Sequence, residues 1–335
     1  MNKLDVLTKN YLNDNARFAE LFNVFVFKKN LINPDDLHDE DSSQIQADII
    51  KSVYYKRHRD NVKLLKYMTN DKINLLLLGV ENQSSVNYAM PVRVMEYDAL
   101  SYNKHAQNIA KKALEEKTEK YQVVHGIPKG TILTPVITLV VYWSPNEWDG
   151  PRDLFGLLDE DITKEYGQYL SNYKMNLICP YEMTDEEISK LQTDLFQVMS
   201  YIKNSNNEEQ LNNMIYKDDR FKTVQKETVE LIKTVTKSEI KYNEEEEEID
   251  MCKAIEDMKM TARNEGIILG KAEGKAEGKA EGKAEGLLQG KAEGLIVSAV
   301  DTAMDLGKNI QEAIEYASIK FNKTPEEIQK LLNNS

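Results

Sequence analysis

Apolar and polar positions follow one another along the first half of the chain in blocks that predict a helix and then a hairpin. Residues 15–27 carry apolar side chains at helical spacing and predict an N-capped helix. The segment Ile73 to Glu81 is apolar almost throughout, as is typical of a strand buried on both faces. Val62 and Leu64 alternate with polar residues before it, so we predict a hairpin that turns at residues 68–71.

A long helix and another buried strand are predicted after this hairpin. Met90 to Ala113 places apolar residues at helical spacing, and Pro91 suits the first turn of a helix. Thr134 to Trp143, "TPVITLVVYW", predicts a second buried strand, and a loop rich in Pro and Gly comes after it. The order helix, strand, strand, helix, strand predicts a mixed α/β domain over residues 1–180.

Residues 181–250 are expected to be mostly helical. The letters "TDEE" that begin at Thr184 form a capping box, which is a signature of a helix start. Amphipathic spacing then predicts helices over residues 186–204 and 213–236. The acidic run Glu244 to Glu248 indicates a solvated linker or a solvated helix face.

A repeat with a period of four residues, "GKAE", runs from Gly270 to Gly286 and returns at residues 290–294. Glycine costs a helix up to about 1 kcal/mol per position relative to alanine, and like charges four residues apart repel. Residues 251–294 therefore form either a helix, whose small side chains a partner helix could contact, or a flexible spacer. A capped segment near the end predicts a small helical hairpin over residues 295–335.

Composition is that of a globular protein with much solvated surface: 41% of the 335 residues are hydrophobic, 30% are charged, and mean hydropathy is -0.56. No apolar run reaches the roughly 18 residues that cross a bilayer. The first residues lack the apolar core of a signal peptide, so we expect a cytoplasmic protein without membrane contact. Cys179 and Cys252 form neither a disulfide framework nor a metal-binding CxxC pair.

Charge is distributed unevenly along the chain. The net charge of -13 argues against nucleic-acid binding over the whole surface. Between Lys51 and Lys72, however, seven Lys and Arg residues face only two Asp residues. A local basic segment of this kind can contact nucleic-acid phosphates even on an acidic protein.

The predicted hairpin also brings candidate chemistry together. A turn centred near residue 70 pairs Asp60 with a position beside Glu81, and Gln83 lies on the same strand face as Glu81. Two carboxylates and a backbone carbonyl are the hard oxygen ligands that Mg²⁺ prefers. The alternative is that Asp60 and Glu81 are salt-bridged to neighbouring basic residues and have a structural role only.

Several longer segments of the chain can be compared with known families. They are "RDNVK", "LLGVENQSSVNYAMPVRVMEYDALSY", "TPVITLVVYW", "WDGPRDLFGLL" and the tail motifs "DMCKAIEDM" and "EGIILGKAEGKAEG". These segments resemble a group of recombination-promoting nucleases and transposases in the PD-(D/E)XK nuclease superfamily. The similarity covers roughly residues 10–160, and the tail is similar by type, whereas residues 185–240 match loosely. The resemblance implies a restriction-endonuclease-like fold, in which a mixed sheet is flanked by helices and followed by a largely α-helical C-terminal region. It also implies a protein that cuts DNA with Mg²⁺ or Mn²⁺.

The resemblance also implies roles for individual residues. Asp60 and Glu81 match the metal ligands, the backbone carbonyl of Asn82 completes the ligand set, and Glu20 is the candidate for an acidic residue from the first helix. Gln83 stands where the superfamily usually has a lysine, so it can position water or phosphate but cannot act as a base. The basic residues expected to hold DNA phosphates are Lys56, Arg57, Arg59 and Arg93.

The leading interpretation is therefore a metal-dependent, transposase-like DNA endonuclease, with Asp60, Glu81 and Gln83 in its catalytic site. Two alternatives belong to other classes. One is a DNA-binding module that kept the fold but lost cleavage, which the glutamine at position 83 favours. The other is a homo-oligomeric scaffold in which the glycine-repeat tail makes the contacts.

Overall fold

The computed structural model of the chain describes residues 3–40, 43–48, 53–69, 72–116, 123–124 and 126–334. The chain divides into two compact units, Met1–Met258 and Lys259–Ser335. Each unit has its own apolar core. The first unit holds the sheet and the candidate site.

Helices make up a large part of the first unit and most of the second. The α-helices are Lys3–Tyr11 (α1), Asn15–Leu21 (α2), Met90–Glu115 (α3), Glu160–Tyr166 (α4), Asp185–Ser189 (α5), Leu195–Asn204 (α6), Glu208–Lys217 (α7), Lys226–Thr236 (α8), Met251–Asp305 (α9), Ile310–Phe321 (α10) and Pro325–Asn334 (α11). A π-helix spans Phe22–Phe27, and short 3-10 helices span Pro34–Asp36, Phe155–Leu157, Gly167–Tyr169, Pro180–Glu182 and Asp219–Lys222. No helix within the described part of the chain is both long and apolar enough to cross a bilayer.

The strands form one mixed sheet and three small two-stranded pairs. They are Leu37–Asp39 (β1), Ser43–Asp48 (β2), Val53–His58 (β3), Asn61–Thr69 (β4), Lys72–Gln83 (β5), Val123–Val124 (β6), Ile127–Pro128 (β7), Val136–Tyr142 (β8), Asn176–Ile178 (β9), Val224–Gln225 (β10) and Glu248–Ile249 (β11). The mixed sheet has the order β1-β4-β5-β8-β9. The predicted fold class, a mixed sheet flanked by helices and followed by a helical C-terminal region, is confirmed.

The predicted hairpin is the centre of this sheet. Strands β4 and β5 pair antiparallel from Thr69 opposite Lys72 to Asn61 opposite Val80, and residues 70–71 of the predicted turn lie outside the described residues. Helix α3 then crosses over, and β8 pairs parallel with β5. A parallel neighbour requires such a crossover connection, which explains why a long helix separates these two strands.

The two faces of β5 pack against different partners. Leu78 and Val80 point into the main core together with Leu139 and Val141 of β8. Residues at odd positions of β5, among them Glu81, point to the opposite face, where Met90 and Val94 of α3 pack against β8. This alternation directs Glu81 towards α3.

The helices after residue 180 pack into the same core as the sheet, so the boundary proposed at residue 180 does not separate two cores. Residues of α6 and α8 belong to one cluster with those of β5 and β8. An ion pair joins α2 to the start of α6, because the Arg17 guanidinium donates two hydrogen bonds of 2.8 Å to Asp194. The same guanidinium lies 3.8 Å from the centre of the Tyr11 ring. The first compact unit therefore extends to residue 258.

The helix predicted for residues 15–27 is present, but its hydrogen-bonding pattern changes part-way along it. Asp14, rather than Asn15, caps it, because the Asp14 carboxylate accepts a hydrogen bond of 2.9 Å from Arg17 N–H. The α-helix becomes a π-helix at Phe22. The buried Asn23 side chain in that π-helix hydrogen-bonds the backbone at residues 31 and 32, which holds the returning chain against it.

Several other elements differ from the sequence-based expectation. The helix α1 and the pair β2–β3 were not predicted. The helix expected over residues 186–204 is interrupted between α5 and α6, and that expected over residues 213–236 corresponds to α7 and α8 with a 3-10 turn between them. The acidic run ends in the short strand β11, which pairs with β10.

The second unit is a group of three helices rather than a hairpin of two. The glycine repeat lies within the continuous helix α9, which is the first of the two alternatives considered for it. Gly307, with a φ of +88°, follows the end of α9. The last helix begins as predicted, since Glu327 N–H donates to Thr324 Oγ1 at 3.2 Å and Thr324 N–H donates to Glu327 Oε2 at 2.8 Å.

Candidate functional site

The open end of the hairpin places Asp60 across from Glu81. Because Asn61 pairs with Val80, the residue before Asn61 and the residue after Val80 lie side by side. Asp60 Oδ2 accepts a hydrogen bond of 2.7 Å from Asn82 N–H. The hydrogen bond that the Asp60 side chain accepts thus extends the contact between the two strands by one step beyond the last backbone pair, Asn61 and Val80. This hydrogen bond ties the Asp60 carboxylate to β5.

Glu81 is the most unusual group of the site. Its side chain has 0% of its surface exposed, and Arg93 Nη2 of α3 lies 3.1 Å from Oε2. The angles of that contact do not make it a hydrogen bond, and no described residue donates one to either carboxylate oxygen. Burial raises the pKa of Glu81 to about 8; Arg93 and Arg59 oppose this rise, whereas the nearby charge of Asp60 adds to it.

Burial also raises the pKa of Asp60 above its usual range. The Asn82 N–H, Arg93 and Lys9 act in the opposite direction, whereas the carboxylate of Asp5 raises it further. Asp5 and Lys9 are therefore electrostatic neighbours of the site, and sequence reasoning missed them because α1 was not predicted. Apolar Leu4 and Tyr11, which α1 buries seven residues apart, are the signal that could have found this helix.

Asn82 and Gln83 complete this end of β5. Gln83 Nε2 donates a hydrogen bond of 2.9 Å to the backbone carbonyl of Asn82, which is the predicted metal ligand. The Asn82 side chain points to the other face of the sheet, where its Oδ1 accepts a hydrogen bond of 2.7 Å from Trp143 Nε1. A carbonyl oxygen has two lone pairs, so the hydrogen bond from Gln83 leaves one of them for another partner.

Glu20 contacts a different part of the molecule. Its carboxylate accepts a hydrogen bond of 2.5 Å from Gln192 N–H, and it also accepts one of 2.5 Å from Thr193 Oγ1. These contacts tie α2 to the segment that leads into α6. The structure therefore gives Glu20 a structural role in place of the expected role as a ligand from the first helix.

Arg59 is buried rather than available to DNA. Its side chain has 0% of its surface exposed, and Nη2 lies 2.5 Å from Asp98 Oδ1. Asp98 also accepts a hydrogen bond of 2.5 Å from Thr138 and another from the Tyr173 hydroxyl. The guanidinium fits because position 79 is glycine: a Cβ there would lie 2.8 Å from Arg59 Nη1. In this conformation Arg59 cannot hold a DNA phosphate, contrary to the expectation.

The other predicted phosphate-binding residues lie on two elements. Arg93 is on the second turn of α3, and 34% of its side-chain surface is exposed. Lys56 and Arg57 lie on β3, which pairs with β2, and their side chains are outside the described part of the chain. Arg93 is thus the predicted phosphate-binding residue that the structure brings to Asp60 and Glu81.

Comparison with protein-family models matches residues 2–230 to the family described as "Putative transposase, YhgA-like". The chain belongs to this family. The YhgA-like family is one of PD-(D/E)XK-like proteins, so the resemblance seen in the sequence is confirmed. The search of curated proteins and the search of solved structures found no match.

The residues of this YhgA-like protein fit a small divalent cation at the end of the hairpin. Glu81 presents two buried oxygens to which no described residue donates a hydrogen bond, and Asp60 lies beside it. Two carboxylates, a backbone carbonyl and water are a ligand set that Mg²⁺ accepts. No group of three His, Cys, Asp or Glu side chains that could hold a metal occurs among the described residues, so protein carboxylates alone do not complete the set.

Proposed function

We propose that this YhgA-like protein is a metal-dependent DNA endonuclease that hydrolyses phosphodiester bonds at the Asp60–Glu81 site. The observation that carries the proposal is the Glu81 carboxylate, which is fully buried without a hydrogen-bond donor among the described residues and lies beside a second carboxylate. Burying such a group costs free energy unless a charge compensates it. A carboxylate whose pKa is perturbed by burial and by a neighbouring charge is a candidate for a functional site. Family membership adds DNA as the substrate class.

Each residue of the site would have a defined task in this reaction. Asp60, Glu81 and the Asn82 carbonyl would hold Mg²⁺ or Mn²⁺, and the hydrogen bond from Asn82 N–H fixes the direction of the Asp60 carboxylate. A divalent cation bound there polarises a phosphodiester and lowers the pKa of an attacking water. Gln83 would orient that water through its amide, since it has no basic group. Arg93 would hold the scissile phosphate through its guanidinium.

A nicking assay on supercoiled plasmid tests the proposal. The wild-type protein should nick DNA with Mg²⁺ or Mn²⁺ and stop when EDTA is added. Asp60→Asn and Glu81→Gln should abolish nicking while the thermal unfolding curve shows a folded protein. Glu20→Gln is the matched control, because it changes an acidic residue that contacts Gln192 and Thr193, and it should nick at the wild-type rate. Nicking by Glu81→Gln would remove the site assignment.

A DNA-binding module without cleavage is the second candidate. The internal hydrogen bond of Gln83 to Asn82 favours it, because one donor of the amide that should orient water is already engaged. This candidate requires DNA binding without added metal and a steep loss of affinity with salt. The plasmid would then remain supercoiled with either cation, while a mobility-shift assay shows a complex.

A further inference from the structure

Arg93 contacts the same carboxylate, Glu81, that the proposed function assigns to the cation. Its Nη2 lies 3.1 Å from Glu81 Oε2, and the carboxylate has no exposed surface. Arg93 and Arg59 are the cations that act electrostatically on Glu81. Arg59 already has Asp98 as its partner, so Arg93 is the cation that contacts Glu81.

The pairing of Arg93 with Glu81 is nevertheless poorly made. A strong arginine–carboxylate pair has two parallel hydrogen bonds. Here both Glu81 oxygens and Arg93 Nε are buried without a hydrogen-bond partner in the part of the chain that the structure describes. The guanidinium also lies 5.5 Å from the centre of the Tyr97 ring, so an aromatic face supports it. The contact is electrostatic, so separating Arg93 from Glu81 breaks no well-formed hydrogen bond between them.

We propose that Arg93 and a divalent cation compete for Glu81, and that a DNA phosphate removes this competition by taking Arg93 as its own partner. This inference rests on the proposed function. Metal and DNA then bind cooperatively: the free protein holds the cation weakly, and DNA strengthens that binding. The protein would assemble its cleavage site mainly on DNA.

Charge and mobility both support the competition. Two cations that share one buried carboxylate repel each other strongly, because the surrounding protein screens charge less than water does. About a third of the Arg93 side chain is exposed, 34% by surface, so its guanidinium can turn outward without moving α3. Arg59 has no exposed surface and is bound to Asp98, so it cannot leave in the same way.

The test measures cation affinity directly, with no need for cleavage. Calorimetry would titrate Ca²⁺ into the full-length protein, alone and with a short DNA duplex, and a gel would verify that the duplex stays intact. In the wild type, the duplex should tighten Ca²⁺ binding about tenfold. Arg93→Met should bind Ca²⁺ about tenfold tighter than wild type without DNA, and the duplex should then add less.

Two variants control for charge and for position. Arg93→Lys keeps the positive charge but replaces the guanidinium, so its Ca²⁺ affinity without DNA should stay weaker than that of Arg93→Met. Arg152→Met removes an exposed arginine that pairs with Glu182, and it should change neither affinity. Arg93→Gln gives the same comparison if the methionine variant proves to be unfolded in a thermal melt.

The outcomes separate this inference from the function on which it rests. If Arg93→Met binds Ca²⁺ without DNA no better than wild type does, Arg93 does not compete, and the inference is overturned while the metal site stands. If no variant binds Ca²⁺ with or without DNA, the metal site of the proposed function is overturned, and the inference with it. The inference is supported if Arg93→Met, measured without DNA, binds Ca²⁺ more tightly than the wild type does.

Discussion

Two neighbouring residues just before β4 show different solutions to buried charge. Arg59 donates a hydrogen bond from Nη2 to Asp98, which also accepts hydrogen bonds from Thr138 and Tyr173. Asp60 lies beside Glu81, a carboxylate that no described residue hydrogen-bonds. A buried charge with a hydrogen-bonded partner contributes to structure, whereas a buried carboxylate without a hydrogen-bond donor costs stability and is a candidate functional group.

Replacement of Arg59 should destabilise the protein without acting through DNA contact. Arg59→Met leaves Asp98 as a buried carboxylate without its guanidinium partner, and loss of one partner of a buried pair costs about 3–5 kcal/mol. Chemical denaturation followed by fluorescence of Trp143 and Trp148 would measure the loss.

The matched control for Arg59→Met is Arg152→Met at an exposed ion pair with Glu182. Exposed pairs contribute about 0–1 kcal/mol, so this variant should unfold close to the wild type. Equal stability of Arg59→Met and the wild type would contradict the role given to the Arg59–Asp98 pair.

Gly79 should tolerate no side chain, because Arg59 fills the space beside it. In Gly79→Ala, the new Cβ would lie 2.8 Å from Arg59 Nη1, and overpacking of this kind costs about 1–3 kcal/mol. Gly167→Ala is the control, since its Cβ would meet Phe155 at an ordinary 3.7 Å. The two melting temperatures should differ, with Gly79→Ala the lower, and identical values would count against the tight fit.

Strand register made part of the site predictable from the sequence, namely the residues that lie on the paired strands. The pairing of Asp60 with Glu81 follows from the position of the turn and the alternation of β5. The burial of Arg59 could not be predicted from strand register, because the basic residues beside it in the sequence suggest an exposed strand. Its burial depends on Asp98 from α3 and on the space above Gly79, and both are tertiary features.

At the scale of elements, the long periodic segments were predictable and the short ones were not. The hairpin β4–β5, the helix α3 and the strand β8 each have a clear hydrophobic period and appear close to the predicted positions. The π-helix after α2 depends on the Asn23 contacts with residues 31 and 32, which no local pattern encodes.

The glycine repeat in α9 has a geometry that a period of four imposes. Since an α-helix has 3.6 residues per turn, each repeat places its glycine about 40° further round the axis. The glycines from Gly266 to Gly294 therefore wind around the helix instead of forming one straight face. Apart from the nearby backbone of α9 itself, a Cβ added at any of them would have no atom within 4 Å among the described residues.

Alanine should therefore strengthen this helix. Replacement of Gly274, Gly278 and Gly282 by alanine adds helix propensity of about 1 kcal/mol per site and introduces no clash. Hydrogen exchange of the full-length chain should show slower exchange of amides in residues 270–290.

Gly307→Ala provides the opposite case, because that position has a φ of +88°. A side chain is strained there, so the variant should lower the stability of the second unit by about 1 kcal/mol.

For the repeat variant with alanine at positions 274, 278 and 282, unchanged hydrogen exchange would indicate that the low helix propensity of glycine does not limit the stability of α9.

At the scale of the whole molecule, one core joins the sheet to the helices that follow it. Residues of α6, α8 and the start of α9 lie in the same cluster as the buried side of β5 and β8. The chain after residue 180 therefore supplies a large part of the apolar surface that the sheet needs. Composition and period alone gave no sign of this, because they report on elements and not on which core an element joins.

A fragment comparison tests this single core. A fragment of residues 1–180 lacks α6 and α8 and should show no cooperative thermal transition, whereas a fragment of residues 1–258 contains the complete cluster and should melt cooperatively. Circular dichroism during heating measures both. Cooperative melting of the shorter fragment would contradict a shared core and restore a boundary at residue 180.

The hydrogen bond between Asn82 N–H and Asp60 also turns the backbone into a reporter of the site. The donor is an amide proton, and its nuclear magnetic resonance frequency depends on the electron density of the carboxylate that accepts it. Whatever binds to Asp60 withdraws density from that oxygen, so the Asn82 resonance shifts on occupancy even when no bond is cut. A single labelled amide could thus read the state of the site in proteins whose catalytic chemistry is slow or lost.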